Sequence, residues 1–256
     1  MHIRCPNCHK VLEKYEKIYK CDNNHSFDIA KEDYVNLSLK NTQNTGDNQS
    51  MVKARREFLS KDYYKFLLDT VNELIDENDE LIDLACGEGY YTSRLKANHK
   101  IGIDLSKPAI KYAAKIDKST TYIISSIFNV PIESNSADKI ITIFAPIAKE
   151  EIHRLLKEKG IFILVKPDVY HLYELKKQIY DNPYLNEVND IEIDGLSLIK
   201  HLPISNKVVL DNTDLINLFS MTPYYNTTSI KDKEKINTLD KLEITFSFMI
   251  EIYQKY

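Results

Sequence analysis

No run of this 256-residue sequence is long and apolar enough to cross a bilayer, which takes roughly 20 consecutive apolar residues. The longest candidates, "KIITIFAPIA" and "EITFSFMIEIY", are short and broken by polar side chains. No secretory leader is visible and cysteine is sparse, four residues in all, so the chain is expected in the reducing cytoplasm. Excess positive charge is missing too: 34 Lys and Arg stand against 38 Asp and Glu, a net charge of −4. That argues against a protein that coats nucleic acid and confines any such contact to a local patch. Tryptophan is absent, and no internal repeat or low-complexity tract appears. The remainder, 43% hydrophobic and 28% charged, suits one globular domain of ordinary size with a small appendage.

Three of the four cysteines fall in one short polar stretch, "CPNCHKVLEKYEKIYKCDNNH", residues 5–25. Cys5 and Cys8 form a C-x2-C pair, and Cys21 and His25 form a C-x3-H pair with twelve residues between. Two close pairs on two tight turns are what a tetrahedral Zn²⁺ requires. A disulfide with spare residues is the competing reading, disfavoured by the reducing compartment. His9 competes as a ligand, but it would share a turn already occupied by Cys8, so His25 is preferred. Asn23 and Asn24 tolerate the left-handed backbone that the second turn can need. Because so short a segment cannot bury a core of its own, the metal is expected to be structural.

The rest divides into an arm and a larger domain. The expected boundaries are 1–36 for the zinc module, 37–50 for a polar linker beginning "NLSLKNTQNTGDNQS", and 51–256 for the main domain. From Met51 to about Asp76 apolar residues recur at helical spacing. Then the period changes: "ELIDLA", "KIGID", "TYIIS", "DKIITIFA" and "GIFILV" read as strands, separated by "YYTSRLKAN", "SKPAIKYAAKI" and "IAKEEIHRLLKEK", which read as helices. This alternation predicts an α/β fold with a mainly parallel sheet covered on both faces. The last third, from about Asp181, reads as an inserted helical region followed by a long final strand, "LEITFSFMIEIYQ".

The first strand-to-helix turn, "LIDLACGEGYYTSRL", is the most informative. Gly87 and Gly89 let the backbone approach a ligand closely, and ligands of such sheets bind beyond the carboxyl ends of the strands. One strand on, Asp104 ends "IGID", where a carboxylate can accept both hydroxyls of a ribose. Alternatively Asp104 merely opens the following helix, although Ser106 would cap it better. Neither G-x-G-x-x-G nor G-x-x-x-x-G-K-[ST] is present, so nothing cradles a pyrophosphate. A nucleoside without phosphates is favoured, S-adenosylmethionine above others.

These residues carry a family resemblance. "CPNCH…C…H", "FDIAKEDYVNL", "ARREFL", "CGEGYYT", "GIDLSKPAIK", "FAP", "HLYELK" and "MTPY" run nearly end to end, and the sequence resembles the RlmA family of 23S rRNA guanine-N1 methyltransferases. The resemblance implies a class I S-adenosylmethionine methyltransferase domain, a Rossmann-like sheet, behind a small amino-terminal zinc module. It also implies an rRNA hairpin as partner, with macrolide resistance as a consequence in some bacteria. Zinc ligands fall on Cys5, Cys8, Cys21 and His25, and cofactor contacts on Tyr64, Gly87, Glu88, Asp104 and His171, beside Gly89 of the loop. Three departures stand out. Ala85 replaces the first loop glycine, at little cost if its φ is negative. Asp168 replaces part of a Pro-Gly turn and is expected to face solvent. Ile127 and Phe128 stand where polar residues are usual.

Methyl transfer to guanine N1 is mainly a positioning problem, and no residue declares itself as the base that takes the N1 proton. At the end of the fourth strand, Phe144 can stack on the acceptor base or simply pack in the core, while Ala145 and Pro146 shape the backbone around its edge. Absence of a D/N-P-P-Y motif there argues against transfer to an exocyclic amine. The helix "MVKARREFLSKDYYK" offers a basic stripe, Lys53, Arg55, Arg56, Lys61 and Lys65, either for RNA phosphates or as an ordinary solvated face. The zinc module adds Arg4, Lys10, Lys14, Lys17 and Lys20. Other readings are a methyltransferase of a small molecule or protein, whose zinc module would serve in a homodimer, and a non-catalytic zinc-ribbon RNA-binding protein.

Overall fold

The computed structural model describes residues 1–39, 49–189 and 191–256; most of the predicted arm, 40–48, lies outside the described residues. Near the amino end a small antiparallel sheet is made of β1 (Glu13–Tyr15), β2 (Ile18–Lys20) and β3 (Ser26–Asp28). The next strand, β4 (Tyr34–Asn36), leaves that sheet and joins a second, eight-stranded one.

Helices α1 (Gln49–Leu59) and α2 (Lys65–Glu73) lead into β5 (Glu80–Leu84), β6 (His99–Asp104), α3 (Lys107–Ile116), β7 (Thr120–Ile124), β8 (Ala137–Ile143), α4 (Lys149–Leu155) and β9 (Leu156–Pro167). After α5 (Tyr173–Ile179) come β10 (Leu196–Asp211), α6 (Asn212–Ser220), α7 (Ile230–Asn237) and β11 (Lys241–Lys255). The sheet order is β10-β11-β9-β8-β5-β6-β7-β4. All neighbours from β4 to β9 are parallel, and β11 is antiparallel to both β9 and β10. Order reverses between β5 and β8, which opens a crevice beyond their carboxyl ends.

The strands are apolar on both faces because both are covered. Leu81, Ile141, Ile163 and Val165 point into one core with Phe58, Leu67, Val71, Phe246 and Phe248. Their neighbours Ile82, Ile140, Phe162 and Leu164 point into the other, which also takes in Cys5, Leu12, Tyr19 and Cys21 of the zinc module. Ile3 bridges to Ile132, and the Arg4 amide donates to the Pro131 carbonyl at 2.8 Å. The module is therefore built onto the main domain, and residue 36, its expected boundary, is the end of a strand of the large sheet.

Four local expectations change. "YYTSRLKAN" forms only a 3₁₀ turn, Thr92–Arg94, because Leu95 turns extended (ψ 139°) and sends Leu95 and Ala97 into the core. The helical run after Met51 breaks at Asp62, whose φ is 59°, so Lys61 sits in a turn between α1 and α2. The "KEK" that seemed to end a helix opens β9. Within the region read as helical after Asp181, Leu196–Asp211 is instead the long edge strand β10, and the α-helices described there are α6 and α7. Pro203 is tolerated there because β10 pairs only with β11.

The α1–α2 turn is held by Asp214, 1% exposed in the first turn of α6, which accepts from Lys61 Nζ and Tyr63 Oη, each at 2.6 Å. Asp214→Ala should cost about 2 kcal/mol, since the Tyr63 hydroxyl loses its partner while the half-exposed Lys61 retreats to water. A urea midpoint equal to wild type would show that this contact does not hold the turn.

Candidate cofactor and metal sites

The two predicted zinc turns meet. Sγ of Cys5, Cys8 and Cys21 and a ring nitrogen of His25 all lie within 4.8 Å of one another. His25 Nδ1 is 3.4 Å from Cys5 Sγ and 3.6 Å from Cys21 Sγ, and the Cys8 and Cys21 sulfurs are 3.6 Å apart. A tetrahedron with Zn–S near 2.3 Å and Zn–N near 2.0 Å has edges of about 3.5 to 3.8 Å, so this Cys3His cluster suits structural zinc. Each turn closes on itself: the His9 amide donates to the Cys5 carbonyl at 2.8 Å, and the Asn24 amide to the Cys21 carbonyl at 2.8 Å. Asn24 takes the left-handed conformation, φ 61°, and His9 does so on the first turn at φ 59°. His9 is exposed and outside the cluster. The Lys10 backbone amide pulls the Cys8 thiol pKa down, while burial pushes that of Cys5 up.

At the crevice, the loop after β5 turns sharply. The Ala85 and Cys86 amides both donate to the Ile103 carbonyl, at 2.8 and 3.0 Å. Ala85, Gly87 and Gly89 have φ of 66°, 55° and 78°. At Gly89 a methyl would lie 2.8 Å from Tyr122 Oη and 2.9 Å from Ala113 Cβ, so only glycine fits. The negative φ that would have made Ala85 nearly free of cost is not found; it is held left-handed because both amides must reach one carbonyl, at a strain of about 1–2 kcal/mol.

Asp104 ends β6 facing this loop, half-buried. Its Oδ2 accepts from the Gly87 amide at 2.9 Å and its Oδ1 from the Ser106 amide at 2.7 Å. Ser106 caps α3 with its own hydroxyl, as expected. Beneath the loop, Asp83 is 3% exposed and accepts from Thr92 Oγ1 at 2.5 Å; burial pushes its pKa up to about 7. Glu88 is 4% exposed, with Arg55 Nη1 of α1 at 3.5 Å from its Oε2. Arg55 also lies over Gly87, 3.7 Å from where a Cβ would stand. Nearby, the buried Tyr91 hydroxyl finds no hydrogen-bond partner among the described residues.

Tyr64, Phe144 and His171 come together on the other side as one aromatic wall. Tyr64 meets Phe246 at 4.9 Å, Phe248 at 5.1 Å and Phe144 at 6.2 Å between ring centroids. Phe144, just past the end of β8, stacks on His171 at 6.4 Å and 19°. It is 40% exposed with φ 56°, a strained conformation typical of functional positions. His171 Nδ1 accepts from the Ser247 amide at 3.3 Å, and burial drives its pKa down to about 3. The ring is therefore neutral, with its proton on Nε2. Pro146 is exposed beyond the wall. Asp168, expected to face solvent, is half-buried: its Oδ2 accepts from Ser247 Oγ at 3.0 Å. Ile127 is buried and Phe128 is 62% exposed. Sequence reasoning missed Tyr91, hidden in an expected helix, and placed Arg55 in a basic stripe.

The donor set fits an adenosine cofactor with an amino-acid tail: a carboxylate at the end of β6, a left-handed loop, and an orphaned phenol near the buried Glu88 and the half-buried Arg55. Residues 75–234 match the family model described as a methyltransferase domain, and residues 3–38 match one described as "RlmA, N-terminal". The chain belongs to the S-adenosylmethionine-dependent methyltransferase family, with the class I fold. More narrowly, its amino-terminal module is an RlmA zinc ribbon. A 23S rRNA (guanine(748)-N(1))-methyltransferase of Streptomyces fradiae is 29% identical over 185 residues, 68% of this chain and 66% of the relative, just under two thirds of its length. YxjB of Bacillus subtilis strain 168, named as a candidate 23S rRNA (guanine-N1-)-methyltransferase, is 28% identical over 242 residues, 86% of each chain. Among solved structures, YcgJ of Bacillus subtilis shares the fold with a TM-score of 0.51 at 14% identity, covering 75% of this chain and 98% of that one.

Two outcomes check this geometry. Stripping zinc with a strong chelator should release one equivalent and unfold the module, exposing Tyr19 and lowering the thermal midpoint; an unchanged midpoint would show that the cluster is not structural. Ala85→Gly should raise stability by about 0.5 to 1 kcal/mol, by removing the left-handed strain against glycine's larger chain entropy. A loss of stability would place the strain elsewhere.

Proposed function

We propose that the protein methylates N1 of a guanine in a hairpin of 23S rRNA. The observation that carries this reading is the joining of an RlmA zinc ribbon to a class I methyltransferase domain through a strand of the domain's own sheet, β4. The names of relatives at 27–29% identity support it.

Asp104, whose two oxygens take the Gly87 and Ser106 amides and are thereby fixed in direction, would accept the ribose hydroxyls. Gly87, Glu88 and Gly89 would line the amino-acid end, and Tyr64 and His171 the wall opposite. The bound cofactor supplies the electrophilic sulfonium methyl. Phe144, presented rather than buried, would stack on the acceptor guanine once it has left its stem, which costs a few kcal/mol. His171 is a donor, since Nδ1 is occupied and the ring resists protonation, so it is not the acceptor of the N1 proton.

The basic stripe, divided in the structure among α1, the α1–α2 turn and α2, is largely engaged within the protein. Lys53 pairs with Glu57 at 3.6 Å, Lys61 with Asp214 and Lys65 with Asp69, each at 2.6 Å, and Arg56 lies 4.7 Å over the Tyr112 ring. That favours the zinc module as the RNA grip, where Lys10 and Lys17 are exposed. It also favours, as a second reading, a small-molecule or protein substrate.

Labelled S-adenosylmethionine and 23S rRNA lacking this modification separate the two. The expected result is methyl transfer and a reverse-transcription stop at one guanine, with Lys10→Ala/Lys17→Ala slowing transfer at limiting RNA and flattening its salt dependence. Binding of the cofactor without transfer to rRNA would remove the rRNA reading.

A further inference from the structure

Besides Phe144, two further aromatic rings stand out from the protein on the segment that carries His171: Tyr170 is 58% exposed and Tyr184 51%. Tyr170 immediately precedes His171, whose ring stacks on Phe144 at 6.4 Å. Tyr184 lies two residues before Asn186, and Asn186 grips the loop that bears His171. Its amide donates to the Val169 carbonyl at 3.0 Å, and its Nδ2 donates to the carbonyls of Asp168 at 2.9 Å and His171 at 3.0 Å. Both exposed rings are therefore tied to one loop, and that loop ends at the aromatic wall.

Neither ring hangs free. Tyr170 meets Tyr173 edge-on at 6.4 Å between centroids, and Tyr184 meets Tyr180 at 5.8 Å. Lys176 Nζ sits 4.1 Å over the Tyr184 ring, and Lys177 Nζ 5.2 Å over that of Tyr173. Lys176 is 1% exposed, and its hydrogen bonds go to neutral acceptors, Asn186 Oδ1 at 2.6 Å and the Tyr184 carbonyl at 3.3 Å. A buried ammonium that meets rings and carbonyls in place of a carboxylate leaves its positive charge uncompensated. Fixed rings backed by positive charge suit a ligand made of flat bases on an anionic backbone.

We propose that Tyr170 and Tyr184 form a stacking platform for unpaired RNA nucleotides flanking the target guanine, with Lys176 and Lys177 supplying positive charge behind the rings. The need arises on the substrate side. When the guanine leaves its stem for Phe144, its neighbours lose a stacking partner, and the two rings beside the wall replace it. Stacking accepts every base, so the platform gives affinity for a single-stranded loop rather than for one sequence. It adds a second RNA contact, on the acceptor side, to the phosphate grip of the zinc module. The inference rests on the rRNA reading of the function.

The chain has no tryptophan, so Tyr170→Trp and Tyr184→Trp each place a single indole on the platform. Titrating the zinc-loaded full chain with 23S rRNA lacking the modification should quench the fluorescence of both, while a fully paired RNA duplex should quench neither. Tyr170→Ala and Tyr184→Ala should each raise the KM for that rRNA by about 10-fold. Tyr170→Phe and Tyr184→Phe keep the ring and should recover most of the loss. Calorimetric binding of S-adenosylhomocysteine reports that the crevice is folded in each variant. If the rRNA is methylated while both indoles stay unquenched, if the duplex quenches them equally, or if the alanine variants keep the wild-type KM, the platform is overturned and the rRNA reading stands. If wild-type protein neither binds nor methylates the rRNA, that reading falls and the platform with it.

Discussion

The Asp104 carboxylate is the pin on which the site depends. One oxygen takes the Gly87 amide and the other the Ser106 amide, so a single side chain locks the loop after β5 to the start of α3. Two backbone donors on one carboxylate fix its direction. The same loop is drawn down by the paired Ala85 and Cys86 amides on the Ile103 carbonyl, which forces three left-handed residues into five positions. Neither constraint comes from the loop alone; both require β5 and β6 to lie side by side in register, Leu84 opposite Ile103. The crevice is thus a property of the sheet, expressed through a short turn.

Charge inside the protein is sorted by what surrounds each group. Asp83, under the loop with only Thr92 to bond, has a pKa pushed up to about 7, whereas Asp62, bonded by Arg94 at the surface, is held below the usual carboxylate range. His171, buried between Phe144 and Phe248, stays neutral and serves as a wall with one fixed donor. Basic residues that look alike in the sequence part company: Lys61 ties α1 to α6, Lys65 closes on Asp69 within α2, and Arg55 turns to the loop. A run of like charges on a helix is thus a poor guide to a nucleic-acid surface until the partners of each charge are known.

The zinc module shows how a metal and a core divide the work. The two turns carry the ligands, but Cys5 and Cys21 are also part of the apolar cluster with Ile82, Leu84 and Phe162. The module is too small for a core of its own, and it uses the far face of the large sheet instead. Strand β4 extends that sheet beyond β7 and joins module to domain by backbone pairing. Side-chain contacts alone would leave the joint far looser.

By itself the sequence determined the chemistry that depends on local spacing. Cysteine pairs on two turns, strands of β-branched residues alternating with helices, a glycine loop, and an acidic strand end some twenty residues on were all legible, because each is written in neighbours along the chain. Tertiary structure alone decided the rest. It made β10 a strand, since an edge strand exposed on most of its length has no period to read. It shortened the segment after the loop to a 3₁₀ turn because Leu95 and Ala97 are needed in the core, and it set Ala85 left-handed because two amides share one carbonyl. It also brought Arg55 to Glu88 and Phe144 to His171, pairs each separated by a helix and a strand, whose meeting no local pattern records.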